Sequence, residues 1–388
     1  LGPWIKSRGA GYFTAPHARV FPPAQARPAP GPVAVPAPAG HDRAASQLGR
    51  SEAMRAVRIH EFTEFENLVL EHDAPRPDLK PRQVRIQVKA APLSIALRLM
   101  ATGDYQRRPA MPYVPGGEVA GVVTEVAEGV ERLKVGDRVA GIIDWGALAE
   151  EAAGYDANLY PIPDDLDFAQ AASLSPSYAT SMAALTWRHQ LDVAEGEWLL
   201  VHGAAGGVGL AAVEIGKALG TRVIATAGTA EKCRFVAEHG ADHVINYAED
   251  DFRQKVMEIT DGRGVDAVYE PVGGEVFRQS LRCMAPGARI CPIGFAGGDI
   301  PLIPANHLLV KNISVCGLFL GYYCGWGRED VRYEHADRLA ADVERMLQWW
   351  REGRLSLHTS HVLPLEDFQE AMKIVTSRQA MGRVVVVP

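Results

Sequence analysis

Cysteine is scarce in this chain, and what there is lies scattered. Cys233, Cys283, Cys291, Cys316 and Cys324 are the five in 388 residues, and no two form a Cys-x-x-Cys pair. A disulfide framework and a zinc knuckle are thereby excluded, and the pattern suits a reducing, cytoplasmic setting. No uninterrupted apolar run approaches the roughly 20 residues of a membrane-spanning helix. Positive charge is also in deficit. Forty Lys and Arg against 47 Asp and Glu leave a formal charge of −7, which argues against a general nucleic-acid binder. No Ser-His-Asp or paired-carboxylate arrangement stands out, and His189, His239 and His307 have no partner at a telling spacing. What is present is an ordinary globular composition, 47% hydrophobic and 22% charged, long enough for two cores.

Residues 1 to 53 are unlike the rest. Pro22-Pro23-Ala24, Pro28-Ala29-Pro30 and Pro36-Ala37-Pro38 alternate proline with small residues, a composition that cannot offset ordering entropy. A disordered extension is expected, with Met54 read as the natural start; a transit peptide, richer in arginine than in acids, is the other reading. From Met54 to Ser177 the signals are short strands and turns: Met54–Ile59, Val84–Lys89, Val119–Val126 and the Gly136-Asp137 bend before Val139. From Tyr178 to Leu320 strand and helix alternate. Strands are expected at Trp198–Val201, Arg222–Thr226, His243–Asn246, Ala267–Glu270, Arg289–Ile293 and Ile313–Gly317, with helices at Ala230–His239, Asp250–Thr260 and Glu275–Met284. That rhythm implies an α/β, doubly wound parallel sheet beside a mostly β domain. Residues 321–388, with a long helix through Val343, Met346, Leu347 and Trp350, are too short for a domain and are expected to return to the first one.

One stretch carries chemistry. Gly203-Ala204-Ala205-Gly206-Gly207-Val208-Gly209 lies between the apolar run Trp198–Val201 and a helical pattern, with Gly203, Gly206 and Gly209 spaced Gly-x-x-Gly-x-x-Gly. Glycine there permits unusual backbone angles and lets a pyrophosphate approach the main chain, while the helix start favours its charge. An ordinary tight turn is the bland alternative, and the surrounding strand-helix alternation favours the nucleotide reading. His202, just before the glycines, reads as packed rather than catalytic. An acid that would hold a free ribose hydroxyl belongs about 20 residues on. Ala225-Thr226-Ala227-Gly228-Thr229 has none.

Several segments in combination resemble one family. They are Pro115–Gly121, Gly136–Val139, Ala204–Gly209, Ala227–Lys232, Ile293–Gly298 and Leu308–Ser314. Together they are similar to the medium-chain dehydrogenase/reductase superfamily, in its zinc-free quinone oxidoreductase branch, over Met54 to Pro388. The resemblance implies a GroES-like catalytic domain at 54–177, a Rossmann cofactor domain at 178–320, a homodimer, and NADPH. Zinc-dependent relatives carry Cys and His where this chain has Ser94 and Gly117, so the metal positions are empty.

By resemblance, Gly203, Ala204, Gly206, Gly207, Val208 and Gly209 form the pyrophosphate loop, and Gly228, Lys232 and Tyr247 meet the 2′-phosphate. Val272, Ile293, Gly294, Phe295 and Ala296 line the adenosine and nicotinamide stretches, and Leu318 and Phe319 flank the nicotinamide; core packing is the alternative role for the apolar ones. Relatives often line the cleft with Asn-x-x-Asp followed by Arg, and here those positions hold Ser94, Leu97 and Ala101. Ser94, Tyr105 and Thr180 are the expected orienting groups, with a surface tyrosine and a helix cap as alternatives for the last two. The expected activity is hydride transfer from NADPH to a quinone or other conjugated carbonyl. An enoyl-thioester reductase and a weakly catalytic NADPH-binding protein are the other readings.

Overall fold

The computed structural model describes residues 53–105 and 107–388. The expectations for the extension lie outside them, apart from its last residue. β1 (Ala53–Arg58) and β2 (Val69–Pro75) form an antiparallel ribbon. Then follow β3 (Gln83–Leu93), α1 (Ile95–Thr102), β4 (Glu118–Val126), β5 (Arg138–Ile142), β6 (Glu151–Tyr155) and β7 (Leu159–Pro161). Helices α2 (Phe168–Ser173) and α3 (Ala179–Thr186) lead to β8 (Trp198–Val201), α4 (Gly207–Ala218), β9 (Arg222–Ala227), α5 (Ala230–Glu238) and β10 (His243–Asn246). Next come α6 (Phe252–Ile259), β11 (Val265–Glu270), α7 (Gly274–Ser280), β12 (Met284–Pro292), α8 (Ala305–Lys311) and β13 (Ser314–Val315). The chain ends with α9 (Arg332–Arg351), β14 (Thr359–Pro364), α10 (Phe368–Thr376) and β15 (Arg383–Val387).

Two large sheets organise these elements. One has six parallel strands in the order β10-β9-β8-β11-β12-β13, the doubly wound order that places ligands beyond its carboxyl edge. The other runs β14-β15-β3-β4-β5-β7, with β6 pairing β3. Within it β15, from the far end of the chain, pairs antiparallel with β3.

Helix α4 shows how the sequence supports this packing. Leu210, Ala211, Ala212, Val213 and Ile215 are all buried, so apolar residues face inward all round rather than along a single stripe. The small residues let sheet and α3 approach from different sides, and Leu210, Val213 and Ile215 stabilise by roughly 1.5–3 kcal/mol each.

Two local readings are corrected. The expected helix to Met284 stops at Ser280, and Met284 already opens β12. The ammonium of Lys311 donates to the carbonyls of Leu281, Arg282 and Met284 at 3.0, 3.0 and 3.1 Å. Leu281 is the cap residue of α7 and the other two lie past it, so the lysine braces the turn between α7 and β12. The stretch read as strands and turns also contains α2, whose Asp167 cap accepts from the amides of Ala169 and Gln170.

Candidate active site

The glycine loop leaves β8 at Val201 and turns at Gly203, whose φ is +57°. Gly209 must be glycine, because a Cβ there would collide with the carbonyl of Gly203 and lie 2.8 Å from the Cα of Ala204. Ala204 is buried, and Gly206, which no side chain caps, precedes α4 with only Gly203 oxygen near a would-be Cβ. The first amides of α4, at Gly207 and Val208, therefore face an open approach with the favourable end of the helix dipole. Around Gly207 sit two buried polar atoms without partners, Ser177 Oγ and Arg383 Nε. A Cβ on Gly207 would lie 3.2 Å from that hydroxyl and 2.6 Å from Arg383 Cδ. Buried groups of this kind are nearly always satisfied, so an unpaired donor pair beside a helix start fits an anionic ligand such as a pyrophosphate.

At the ends of β9 and β10, Tyr247 lies over Gly228, its hydroxyl 2.5 Å and its Cζ 2.7 Å from where a Cβ would be. Thr229 caps α5 by accepting from the Lys232 amide at 3.2 Å, which fixes the first turn carrying that lysine. Lys232 is half-buried and its ammonium donates to the carbonyl of Arg378. Burial, aided by Arg378, pushes its pKa down. The Arg378 guanidinium reaches on to the Ala296 carbonyl at 3.1 Å. Arg378 was missed in the sequence, since it stands 146 positions from Lys232 and has a left-handed φ of +58° with no motif to mark it.

The loops after β11 and β12 are zipped together. The amides of Ala296 and Gly297 donate to Pro271 and Val272 at 3.0 and 2.8 Å, and that of Ile293 to Glu270 at 2.8 Å. Buried Glu270 accepts from the amides of Val272 and Gly273, a second anchor the motif reading passed over. Val272, Ile293 and Gly294 are half-buried, Phe295 and Ala296 exposed. Leu318 is half-buried and Phe319 largely exposed beyond β13. The residues read as cofactor-binding thus gather beyond the carboxyl edge of one sheet.

The residues read as catalytic are less concentrated. Ser94 precedes α1 and makes no capping bond, while Leu97 and Ala101 point into the buried core. Tyr105 lies near Glu118 and Arg107. Burial and the Glu118 charge raise its pKa, so at neutral pH it is a hydroxyl donor. Thr180 is half-buried inside α3 and not at its cap. Between Tyr105 and the glycine loop lies a feature absent from the sequence reading: Glu118 of β4, bound by Arg383. Burial pushes the Glu118 carboxyl up to about 7, against the opposing pull of Arg383.

His202 is packed, as its position suggested. Its ring nitrogens lie 3.0 Å from Thr226 Oγ1 and 2.9 Å from Ser280 Oγ, and burial pushes its pKa down to about 3. An imidazole held neutral in the fold stabilises fully above its ordinary pKa and loses that contribution as pH falls towards 3. The native protein should therefore lose about 2 kcal/mol between pH 7 and pH 5 from this residue. Urea melts at the two pH values should show a shallower acid limb for His202→Gln.

Residues 80–164 match the profile "Alcohol dehydrogenase GroES-like domain" and residues 207–340 match "Zinc-binding dehydrogenase". Quinone oxidoreductase-like protein 2 of Bos taurus is 37% identical over 320 residues, covering 82% of this chain and 88% of that one. The chain belongs to the medium-chain dehydrogenase/reductase superfamily. Among solved structures, the Escherichia coli quinone oxidoreductase complexed with NADPH matches with a TM-score of 0.77 at 28% identity, over 87% of this chain and all of that one. A 2-haloacrylate reductase matches with a TM-score of 0.73 at 29% identity, over 86% and 99%. In superfamily terms the first sheet carries the Rossmann nucleotide-binding fold and the second the GroES-like fold. No group of three or more His, Cys, Asp or Glu among the described residues is placed to hold a metal ion, and no described helix is long and apolar enough to cross a membrane.

Proposed function

We propose that this oxidoreductase uses NADPH, without zinc, to reduce quinones or other conjugated carbonyl acceptors. Residues 178–320 serve as its cofactor domain, and 54–177 with the returning 321–388 as its catalytic domain. The observation that carries the reading is Tyr247 lying over Gly228, with Lys232 tied to Arg378 in the first turn of the helix that follows, where a ribose-binding acid is missing. Gly207 and Val208 amides, with Ser177 and Arg383, hold the pyrophosphate; Val272, Gly294 and Phe295 line the path to Leu318 and Phe319 at the nicotinamide. When bound, NADPH supplies a hydride to the acceptor. Tyr105 orients the acceptor oxygen as a protonated donor, with Ser94 and Thr180 at the edges of the cleft. The reduced oxygens take their protons from water, which suits a cleft with few acids. NADPH oxidation should accelerate at least about tenfold when a quinone or enone is added, with NADH a poor substitute. A rate no higher than without acceptor would sink the reading.

The protein acts as a homodimer in this proposal. β13 ends the six-stranded sheet, and beside it Ile300, Leu302, Leu309 and Val310 are 74%, 86%, 79% and 78% exposed. Clustered apolar exposure next to a sheet edge fits a second copy. Leu309→Asp with Val310→Asp should shift light-scattering mass from two chains to one.

A further inference from the structure

The cleft beyond Phe319 holds more positive charge than a neutral quinone would need. Trp326 is packed beside Gly117 and Gly321, next to Phe319, which the proposed function puts at the nicotinamide. A Cβ on Gly117 would lie 3.1 Å from its Cη2, and one on Gly321 would lie 2.5 Å from its Cε3 and 2.7 Å from Phe319 Cζ. From there the cleft opens outward to about 470 Å³, lined by Arg107, Arg108, Trp145, Trp326, Gly327 and Arg328. Arg107 lies between the two indoles, 4.6 Å from the Trp145 ring centre and 4.9 Å from that of Trp326.

The carboxylates nearby do not neutralise this group. Asp144 is 3.5 Å from Arg107, but it also accepts from Trp326 at 3.1 Å and faces Arg332 at 3.4 Å. Asp330 is taken by Arg332 at 2.8 Å. Arg108 stands 5.7 Å over the Phe62 ring, and neither it nor Arg328 forms an ion pair among the described residues, although Glu329 follows Arg328 in the chain. Like charges gathered on low-dielectric walls raise the local concentration of anions and offer them charge-assisted hydrogen bonds. Flat indole walls suit a flat conjugated group.

Building on the reductase reading, we infer that the acceptor bears an anionic group, a carboxylate or phosphate, held by Arg108 and Arg328 while its conjugated part lies against Trp326. Two matched pairs test this: 4-oxo-2-pentenoate against its methyl ester, and crotonyl-CoA against the crotonyl thioester of N-acetylcysteamine. The anionic member of at least one pair should have a kcat/KM about tenfold higher, an advantage that shrinks when sodium chloride is raised to about 0.5 M. In the Arg108→Ala/Arg328→Ala protein the ratio of anionic to neutral kcat/KM should fall about tenfold. A preference in the first pair identifies a small acid, and one in the second the phosphates of a coenzyme A tail; either supports the inference. Turnover of all four acceptors with ratios near one overturns it and spares the reductase reading. If none turns over and no quinone does either, that reading fails; whenever none of the four turns over, calorimetric titration with 4-oxo-2-pentenoate and crotonyl-CoA under saturating NADP⁺ decides the anion site separately. Binding about tenfold weaker in the double variant sustains it, and equal or absent binding overturns it.

Discussion

Replacing Lys232 and Arg378 together with alanine should raise the dissociation constant for NADPH about a hundredfold and that for NADH less than about threefold. The two nucleotides differ only by the 2′-phosphate, so groups that touch it alone must discriminate between them. Each charge-assisted hydrogen bond contributes about 1.5–3 kcal/mol, and two together account for the factor. Lys232 spends one proton on the Arg378 carbonyl, which holds the ammonium in place over the first turn of α5 and leaves its other protons for a ligand. Lys232→Ala alone should cost about tenfold. Fluorescence titration with both nucleotides measures this, and equal weakening of NADPH and NADH would show that these residues do not read the phosphate.

The second large effect is on stability. Arg383→Ala should destabilise the protein by about 3–5 kcal/mol and lower its melting temperature by roughly 5 °C. Arg383 and Glu118 are each less than a tenth exposed, and removing the guanidinium strands a carboxyl that pairs with no other cation among the described residues. The carboxyl would then have to stay protonated, so the deficit should be smallest at acid pH and grow as pH rises through about 7. The sign follows from a native pKa raised above the unfolded value: a contribution present below the ordinary carboxyl range is lost as pH rises. Adding Glu118→Gln should recover most of the loss, since a neutral amide can stay buried without the cation. Calorimetric scans of the single and double variants between pH 5 and 8 test the pairing. If the double variant melts no higher than the single, Arg383 contributes through packing on Gly207 instead.

The six-stranded sheet was legible because its signals are local. Trp198–Val201 and His243–Asn246 form the strands expected, and the intervening glycines and helices follow the alternation that a parallel sheet requires. What the sequence concealed acts at a distance. The turn after α7 is braced by Lys311, 27 to 30 positions away, a contact that a period count running to Met284 could not register. The loop was marked by its glycine spacing, and Gly228, Lys232 and Tyr247 by the family resemblance together with a missing acid. Arg378, Glu118 and Arg383 carry no such mark, because their importance arises only when the end of the chain comes back beside its middle. The arginine-lined cleft was hidden for a similar reason: Trp326 and Arg328 join Arg107 and Trp145 across some 200 residues.

The amide of Gly382 donates to the Ala205 carbonyl at 2.8 Å, and β15 then fills the gap between β14 and β3. A ribosome that has made everything up to α10 has therefore made an unfinished version of the site proposed above. The glycine loop still lacks its Gly382 tie, its Arg383 neighbour and the strand behind them. A chain cut before Gly382 is therefore expected to lose the cofactor site proposed above while keeping every glycine of the loop.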